Sequence, residues 1–408
     1  MLESLPLVSV LVGLALYTVL GGADFGAGFW QLFAGRGRDA ERVREHAHHS
    51  MAPVWEANHV WLIFVLTVFW TAYPTAFGSI ASTLAVPLFI AVVGIILRGA
   101  AYAFRAGASS VRESARIDTI FAVSSILTPF ALGAAIGGIA TDRVPVGNAA
   151  GHLWSSWLNA TSIFIGVLAV ATSAYLAAVY LAADAARSRH RELERDFRLR
   201  ALAAGVATGA VAVGGIFIVN ADNHELFNSL LTGRALPAVI VSALAGVATL
   251  LLVYGRRYEP ARYGAALAVA AIVAGWALAR WPTILPGLSV DQAAAGHDSL
   301  VAVIVAVLGG GVILFPALAL LFLLTVTGRF AGAETTPAEV GTHALRAGRP
   351  RFLARSAIGC LIAGFGLLNV ADAGWAHAVG VACLFGFVVL AFRAIVVPAI
   401  AAHTAKEA

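Results

Sequence analysis

Charge is what this 408-residue chain has least of: Asp, Glu, Lys and Arg make up 12% of it, against 60% apolar residues. Soluble domains carry roughly 25% charged residues, so this composition excludes a water-soluble fold and describes an integral membrane protein. Cysteine is equally scarce, with Cys360 and Cys383 the two present. Both lie inside apolar runs, so neither a disulfide framework nor a thiolate metal site is implied, and small buried thiols are the plain reading. The chain also lacks a CxxCH, a P-loop and a dinucleotide fingerprint. No basic segment precedes the first apolar run, so a cleavable signal peptide is not expected.

Long apolar runs are what the chain has instead. Read with a window of about 19 residues, they fall near 5–31, 54–73, 76–98, 118–140, 157–183, 201–219, 235–254, 262–281, 301–326, 356–373 and 377–399. Continuous apolar runs satisfy their own backbone groups in lipid as helices, whereas barrel strands would alternate. The expected fold is therefore all-α, a polytopic transmembrane helical bundle of eleven helices.

The net charge of +5 is distributed in a way that sets topology. Arg36, Arg38, Arg42 and Arg44 follow the first run, Arg105, Arg112 and Arg116 the third, Arg187 to Arg200 the fifth, Arg256, Arg257 and Arg262 the seventh, and Arg346 to Arg355 the ninth. The alternate connections hold Arg143, Arg234 and Arg280 alone. The positive-inside rule then places the N-terminus outside and the C-terminus in the cytoplasm. With topology explaining the charge, nucleic acid is not needed as a partner. The stretch RSRHRELERDFRLR reads as a solvated helix extension at an anionic membrane face. Trp70, Trp154, Trp157, Trp276, Trp281 and Trp375 fall at expected outer helix ends, as an interfacial belt would.

Chemistry concentrates in the first three runs. MAPVWEANHVWLI, residues 51–63, frames Glu56, Asn58 and His59 between Trp55 and Trp61 where the second run begins. GGADFGAGFW puts Asp24 between Gly22 and Gly26 near the inner end of the first helix. LRGAAYAFR ends the third run at Arg98. If these helices pack together, two acids, a guanidinium and an amide share one layer that can pair its charges, hold water and pass protons. Plainer readings stand beside this one. Arg98 snorkels to the interface, Glu56 sits at a helix N-terminus favoured by its dipole, the glycines only permit close helix packing, and His59 is hydrogen-bonded structure.

In order and spacing, GGADFGAGFW, APVWEANHVWLI and LRGAAYAFR resemble subunit II of cytochrome bd-type quinol oxidases, and WPTILPGLSVD at 281–291, with Pro282 and Pro286, is similar to that family's proline-bearing outer loop. The resemblance covers residues 5 to 330 and implies nine family helices. Two departures are visible. Gly21 and Gly22 stand where the family often has a second acid, and the chain continues past the ninth helix. The expected organisation is thus a subunit II-like domain over 1–330, a polar linker over 331–355, and an extra transmembrane hairpin with a short tail over 356–408.

The resemblance implies a subunit of a respiratory quinol oxidase in a bacterial plasma membrane, packed in lipid against a haem-bearing subunit I. That partner would carry haems b and d and the site where quinol is oxidised and dioxygen reduced. Small accessory subunits and a structural quinone occur in some relatives. This chain would ligate no haem and no metal. Met1 and Met51 lie outside the deep apolar stretches, and His48, His49, His152, His190, His297, His343 and His403 fall in expected loops or tails, so a buried axial pair is hard to build. Its own contribution would be a cytoplasmic proton path through Glu56, Asp24 and Asn58, with Arg98 as charge partner and Trp55 and Trp61 facing subunit I or its haems. The alternative from another class is a proton-coupled secondary transporter. That would place polar interruptions at corresponding positions of two halves, whereas the polar membrane residues here cluster in the first three runs. A membrane scaffold with no chemistry is the third reading.

Overall fold

A computed structural model describes residues 2–35, 37–105, 111–326, 350–370 and 374–404, with the side chains of residues 48–57 among those left outside the description. The chain is a helical membrane protein that divides into two compact units, Met1–Val312 and Ile313–Ala408. Among the described residues, eight helices are long and apolar enough to cross a bilayer, and the bent pair, counted as one span, makes nine.

In the first unit, α1 (Leu5–Leu32) opens with Pro6 in its first turn, where no N–H is missed. It packs on α2 (Arg38–Ala72), α5 (Val111–Ala140), α6 (Ala160–Arg187) and α10 (Tyr258–Arg280). Helices α7 (Arg191–Asp222), the short α8 (His224–Leu231) and α9 (Leu236–Tyr254) complete a second layer over α6 and α10. Close contact between α1 and α6 depends on glycine. A Cβ at Gly26 would overlap the Ser173 carbonyl, and one at Gly22 would meet Leu176.

Three expected helices have different limits. The second was expected over 54–73, yet α2 begins at Arg38. Ala40, Val43 and Ala47, spaced to share one face, are all buried there, so this polar-looking segment is an amphipathic extension that a hydropathy window does not register. The third, expected over 76–98, is broken into α3 (Pro74–Thr83) and α4 (Ala85–Arg105). Proline explains both ends of α3. Pro74 disfavours helix at the preceding Tyr73, where the chain bends by 120° from α2, and the Pro87 ring would clash with the Thr83 carbonyl four residues back. In the same manner α7 starts ten residues before the expected 201–219, with Phe197 and Ala201 buried on its inward face.

At the arginine-poor end, WPTILPGLSVD folds into an antiparallel pair, β1 (Thr283–Leu285) and β2 (Leu288–Ser289), followed by the one-turn α11 (Val290–Ala293). Pro286 and Gly287 make the turn, and Gly287 takes the positive φ of 74° that its second corner requires. Ser289 and Gln292 form a reciprocal capping box on α11. Leu285, Leu288 and Val290 join Tyr73, Leu84, Val144, Trp157 and Leu300 in an apolar cap over this end, from which α12 (His297–Val326) departs. Nearby, Arg143 pairs with Asp222 and Arg280 with Asp142, each at 2.6 Å, and Thr161 donates to Asp222 at 2.7 Å.

The second unit contains α13 (Pro350–Val370) and α14 (Gly374–Thr404), which pack on each other, with Gly364 against Leu384 and Cys360 near Gly386.

Candidate functional site

Asp24, Asn58 and Arg98 meet inside the first unit. Arg98 comes from the middle of α4, and its Nη2 bonds both the Asp24 carboxylate and, at 2.9 Å, the Asp24 carbonyl. Its Nη1 bonds the Ser125 hydroxyl of α5. Asn58 Nδ2 donates to the second carboxylate oxygen of Asp24 at 3.0 Å. Asp24 is 2% exposed, and Asn58 and Arg98 1% each, so a charged pair is buried away from bulk water where groups from four helices meet.

The snorkelling reading of Arg98 therefore does not hold. Helix α4 continues one and a half to two turns beyond it to Arg105, and the guanidinium lies between the rings of Phe121 and Phe25, at 4.1 and 5.1 Å. Space for it comes from Gly28, where a Cβ would overlap Ser125 and stand 3.1 Å from Arg98 Nη1. The GxxxG pair around Asp24 brings α6 in from another side, as described above. A buried ion pair of this kind adds little net stability, because desolvation cancels much of the attraction, but an unpaired member is costly.

Two buried residues missed in the sequence share Asp24's face of α1. Tyr17 and Gln31 lie seven residues to either side, which is nearly two full turns, or about 10 Å each way. The Tyr17 hydroxyl, both amide atoms of Gln31, the Asn58 Oδ1 and the Arg98 Nε have no hydrogen-bond partner among the described residues. Buried polar atoms left this way call for ordered water. The seven-residue polar spacing was the available signal, hidden because neither residue is charged.

Glu56 and Trp55 lie on α2, but their side chains are outside the described residues. The backbone still corrects one reading. Because α2 starts at Arg38, position 56 lies well inside the helix, so the dipole of a helix N-terminus does not explain an acid there. Positions two apart on a helix do not face each other, so position 56 is on the opposite flank of α2 from Asn58. That flank continues through Val60 and Ile63, which are 46% and 64% exposed. The layer thus brings together Asp24, Asn58 and Arg98, with position 56 round the helix from them. Trp61 is 9% exposed, packed with Tyr17 and Phe25 and edge-on to Phe64 at 6.0 Å, so its ring belongs to the chain's own interior. His59, beside Asn58, is half-buried. Among the described residues, no three of His, Cys, Asp or Glu gather as they would to hold a metal ion.

Residues 2–325 match the family model described as cytochrome bd terminal oxidase subunit II. Cytochrome bd ubiquinol oxidase subunit 2 of Bacillus subtilis (strain 168) is 29% identical over 114 residues, 28% of this chain and 33% of that one. Cytochrome bd-I ubiquinol oxidase subunit 2 of Escherichia coli (strain K12) is 26% identical over 132 residues, 32% of this chain and 34% of that one. The chain thus spans about a third of the length of these relatives. A chain in the structure of bd oxidase from Geobacillus thermodenitrificans superposes with a TM-score of 0.62 at 23% identity, covering 80% of this chain and 99% of that one, which is a likeness of fold. With the family model matched over most of its length, the chain belongs to the cytochrome bd terminal oxidase subunit II family.

Proposed function

We propose that this chain is the subunit II of a quinol:oxygen oxidoreductase in a bacterial plasma membrane, with its N-terminus outside and its C-terminus in the cytoplasm. It packs against a haem-bearing subunit I and supplies protons from the cytoplasmic side to the reduction of dioxygen there. Family membership supports the broad reading, and the buried Asp24–Arg98–Asn58 cluster carries the finer one. The haems b and d are the partner's. The redox chemistry of quinol and dioxygen belongs to that subunit.

Within this reading the polar groups divide the work. Asp24 is engaged by Arg98 and Asn58 together, so it serves as a fixed acceptor that locks α2 and α4 onto α1. Glu56 is the carrier, since a carboxyl can gain and lose a proton and so relay it. Its flank of α2, exposed at Val60 and Ile63, is where a partner would cover it, so the proton passes along the subunit contact. Tyr17, Gln31 and the Oδ1 of Asn58 hold water along α1 and extend the polar route lengthwise. Residues 331–349, which lie outside the described residues, act as a linker, and the added hairpin begins at Pro350, inside the stretch expected as linker, with a tail beyond it.

Glu56→Gln keeps the shape and removes the exchangeable proton. The expected result is quinol-driven oxygen uptake lowered at least tenfold, in line with the usual contribution of about 10²–10⁴ from a positioned acid or base, while the complex assembles with unchanged haem absorbance. Unchanged turnover would remove Glu56 from the route.

A further inference from the structure

A second polar site lies at the arginine-rich end, away from the Asp24 cluster. Arg191, Glu194, Arg195 and Arg198 of α7 and Arg256, just past α9, line a cleft of about 480 Å³. Four guanidinium groups face one carboxylate there, and that carboxylate is already engaged. The Tyr258 hydroxyl donates to Glu194 at 2.8 Å, and Arg256 stands 3.8 Å from it. Of the other acids on this turn, Glu192 pairs with Arg42 at 3.0 Å, and Asp196 is exposed. Arg191 and Arg195 have no ion-pair partner among the described residues.

The cleft is built rather than a chance gathering of surface charge. Arg198 is anchored across the two helices, donating to the carbonyls of Val253 and Tyr254 at 3.2 and 2.7 Å and lying over the Tyr254 ring at 5.3 Å. Arg256 adopts a left-handed φ of 58° as α9 ends, and Arg257 N–H reaches back to the Leu252 carbonyl at 2.8 Å, which fixes the chain that carries the arginine. The start of α7, a 32-residue helix, adds the positive end of its dipole.

Immediately beside this charge the surface turns apolar. Leu199 and Leu251 are 55% and 67% exposed, and the exposed sides of α7 and α9 continue through Val206, Val213, Leu244 and Val247. A soluble anion would use the arginines and leave that surface idle. A molecule with a phosphate head and hydrocarbon tails uses both, since guanidinium groups match phosphate oxygens in paired hydrogen bonds and the tails cover the helices. We propose that the cleft between α7 and the end of α9 is a binding site for the phosphate of an anionic phospholipid.

The test takes the chain purified with its native partners in mild detergent, washed free of lipid, and titrates dioleoyl phosphatidylglycerol or dioleoyl phosphatidylcholine while bound lipid is counted by native mass spectrometry. Phosphatidylglycerol should bind about tenfold more tightly, because the choline ammonium of phosphatidylcholine offsets the charge of the same phosphate. Arg191→Gln with Arg195→Gln should abolish the preference without changing the melting temperature, and Arg187→Gln, at a separate surface pair with Glu259, should leave it intact. Equal binding of the two lipids, or a preference that survives the double substitution, overturns the proposal. Displacement of phosphatidylglycerol by millimolar inorganic phosphate also overturns it, because the site would then be one for a free anion. Since the readout is bound lipid, none of these outcomes depends on oxidase activity or on Glu56.

Discussion

At the Asp24–Arg98 pair each side chain keeps 2% of its surface, whereas Arg143–Asp222 and Arg280–Asp142, at the other end of the bundle, keep between 14% and 37%. The groups are the same and the distances all short, so the contrast lies in what surrounds them. The first pair is roofed by Phe25 and Phe121 and supported by Ser125 and Asn58 from neighbouring helices. The second set links the ends of α5, α7 and α10 near loops that reach water. In the first place each charge depends on its partner; in the second, solvent can replace it. A membrane protein that retains an ion pair buried from bulk water carries a feature that stability alone does not favour.

Breaking the buried pair should produce the largest effect. Arg98→Leu leaves Asp24 charged, buried and short of its main partner, at a cost of about 3–5 kcal/mol. This should be seen as loss of folded chain in membranes or a steep fall in melting temperature. Replacing Asp24, Asn58 and Arg98 together by leucine removes all three dependent groups, and most of the stability should return while oxygen uptake stays low. If Arg98→Leu alone is as stable as the parent, bulk solvent reaches the cluster and the contrast with the other end disappears.

A smaller change sharpens the same comparison through packing. Gly28 lies against Ser125 and Arg98, so Gly28→Ala pushes a methyl group into the hydroxyl that holds the guanidinium. Overpacking of this kind costs about 1–3 kcal/mol. Thermal unfolding of the assembled complex measures it. Because Ser125→Ala removes the nearer of the two Ser125 atoms that the methyl would meet, combining it with Gly28→Ala should recover part of the loss, and no recovery would mean that the Cβ of residue 125, which alanine keeps, takes the strain.

Sequence made the central cluster legible because charge in an apolar run is rare enough to stand out: Asp24, Asn58 and Arg98 were expected in one layer and they meet. That position 56 lies on the other flank of α2 from Asn58 follows from their two-residue spacing within one helix, and the amphipathic beginning of α2 at Arg38 removed the helix-terminus reading. Prolines explained the break between α3 and α4 only once Pro87 was placed three residues into a helix rather than midway along one. Tyr17 and Gln31 were overlooked because uncharged polar residues are common in membrane helices, and their significance rests on burial. The Arg143, Asp142, Asp222 and Arg280 set was hidden for a different reason: arginines counted for topology carry no information about acids some 80 positions away in the chain, such as Asp222 from Arg143.

That solvated set should give the smallest response. Arg143→Gln and Arg280→Gln each remove a partly exposed pair, and such pairs are worth at most about 1 kcal/mol. Part of even that is offset, because Arg143 Nε and both Nε and Nη2 of Arg280 have no acceptor among the described residues, and glutamine buries fewer unmet donors. Raising salt toward 1 M, where screening acts over about 3 Å, should shrink the difference in melting temperature between parent and either variant, and should leave the Arg98→Leu deficit unchanged. A deficit at Arg143 or Arg280 as large and as salt-insensitive as that at Arg98 would show that the loops close over these pairs in the membrane, and the two ends of the bundle would then obey one rule.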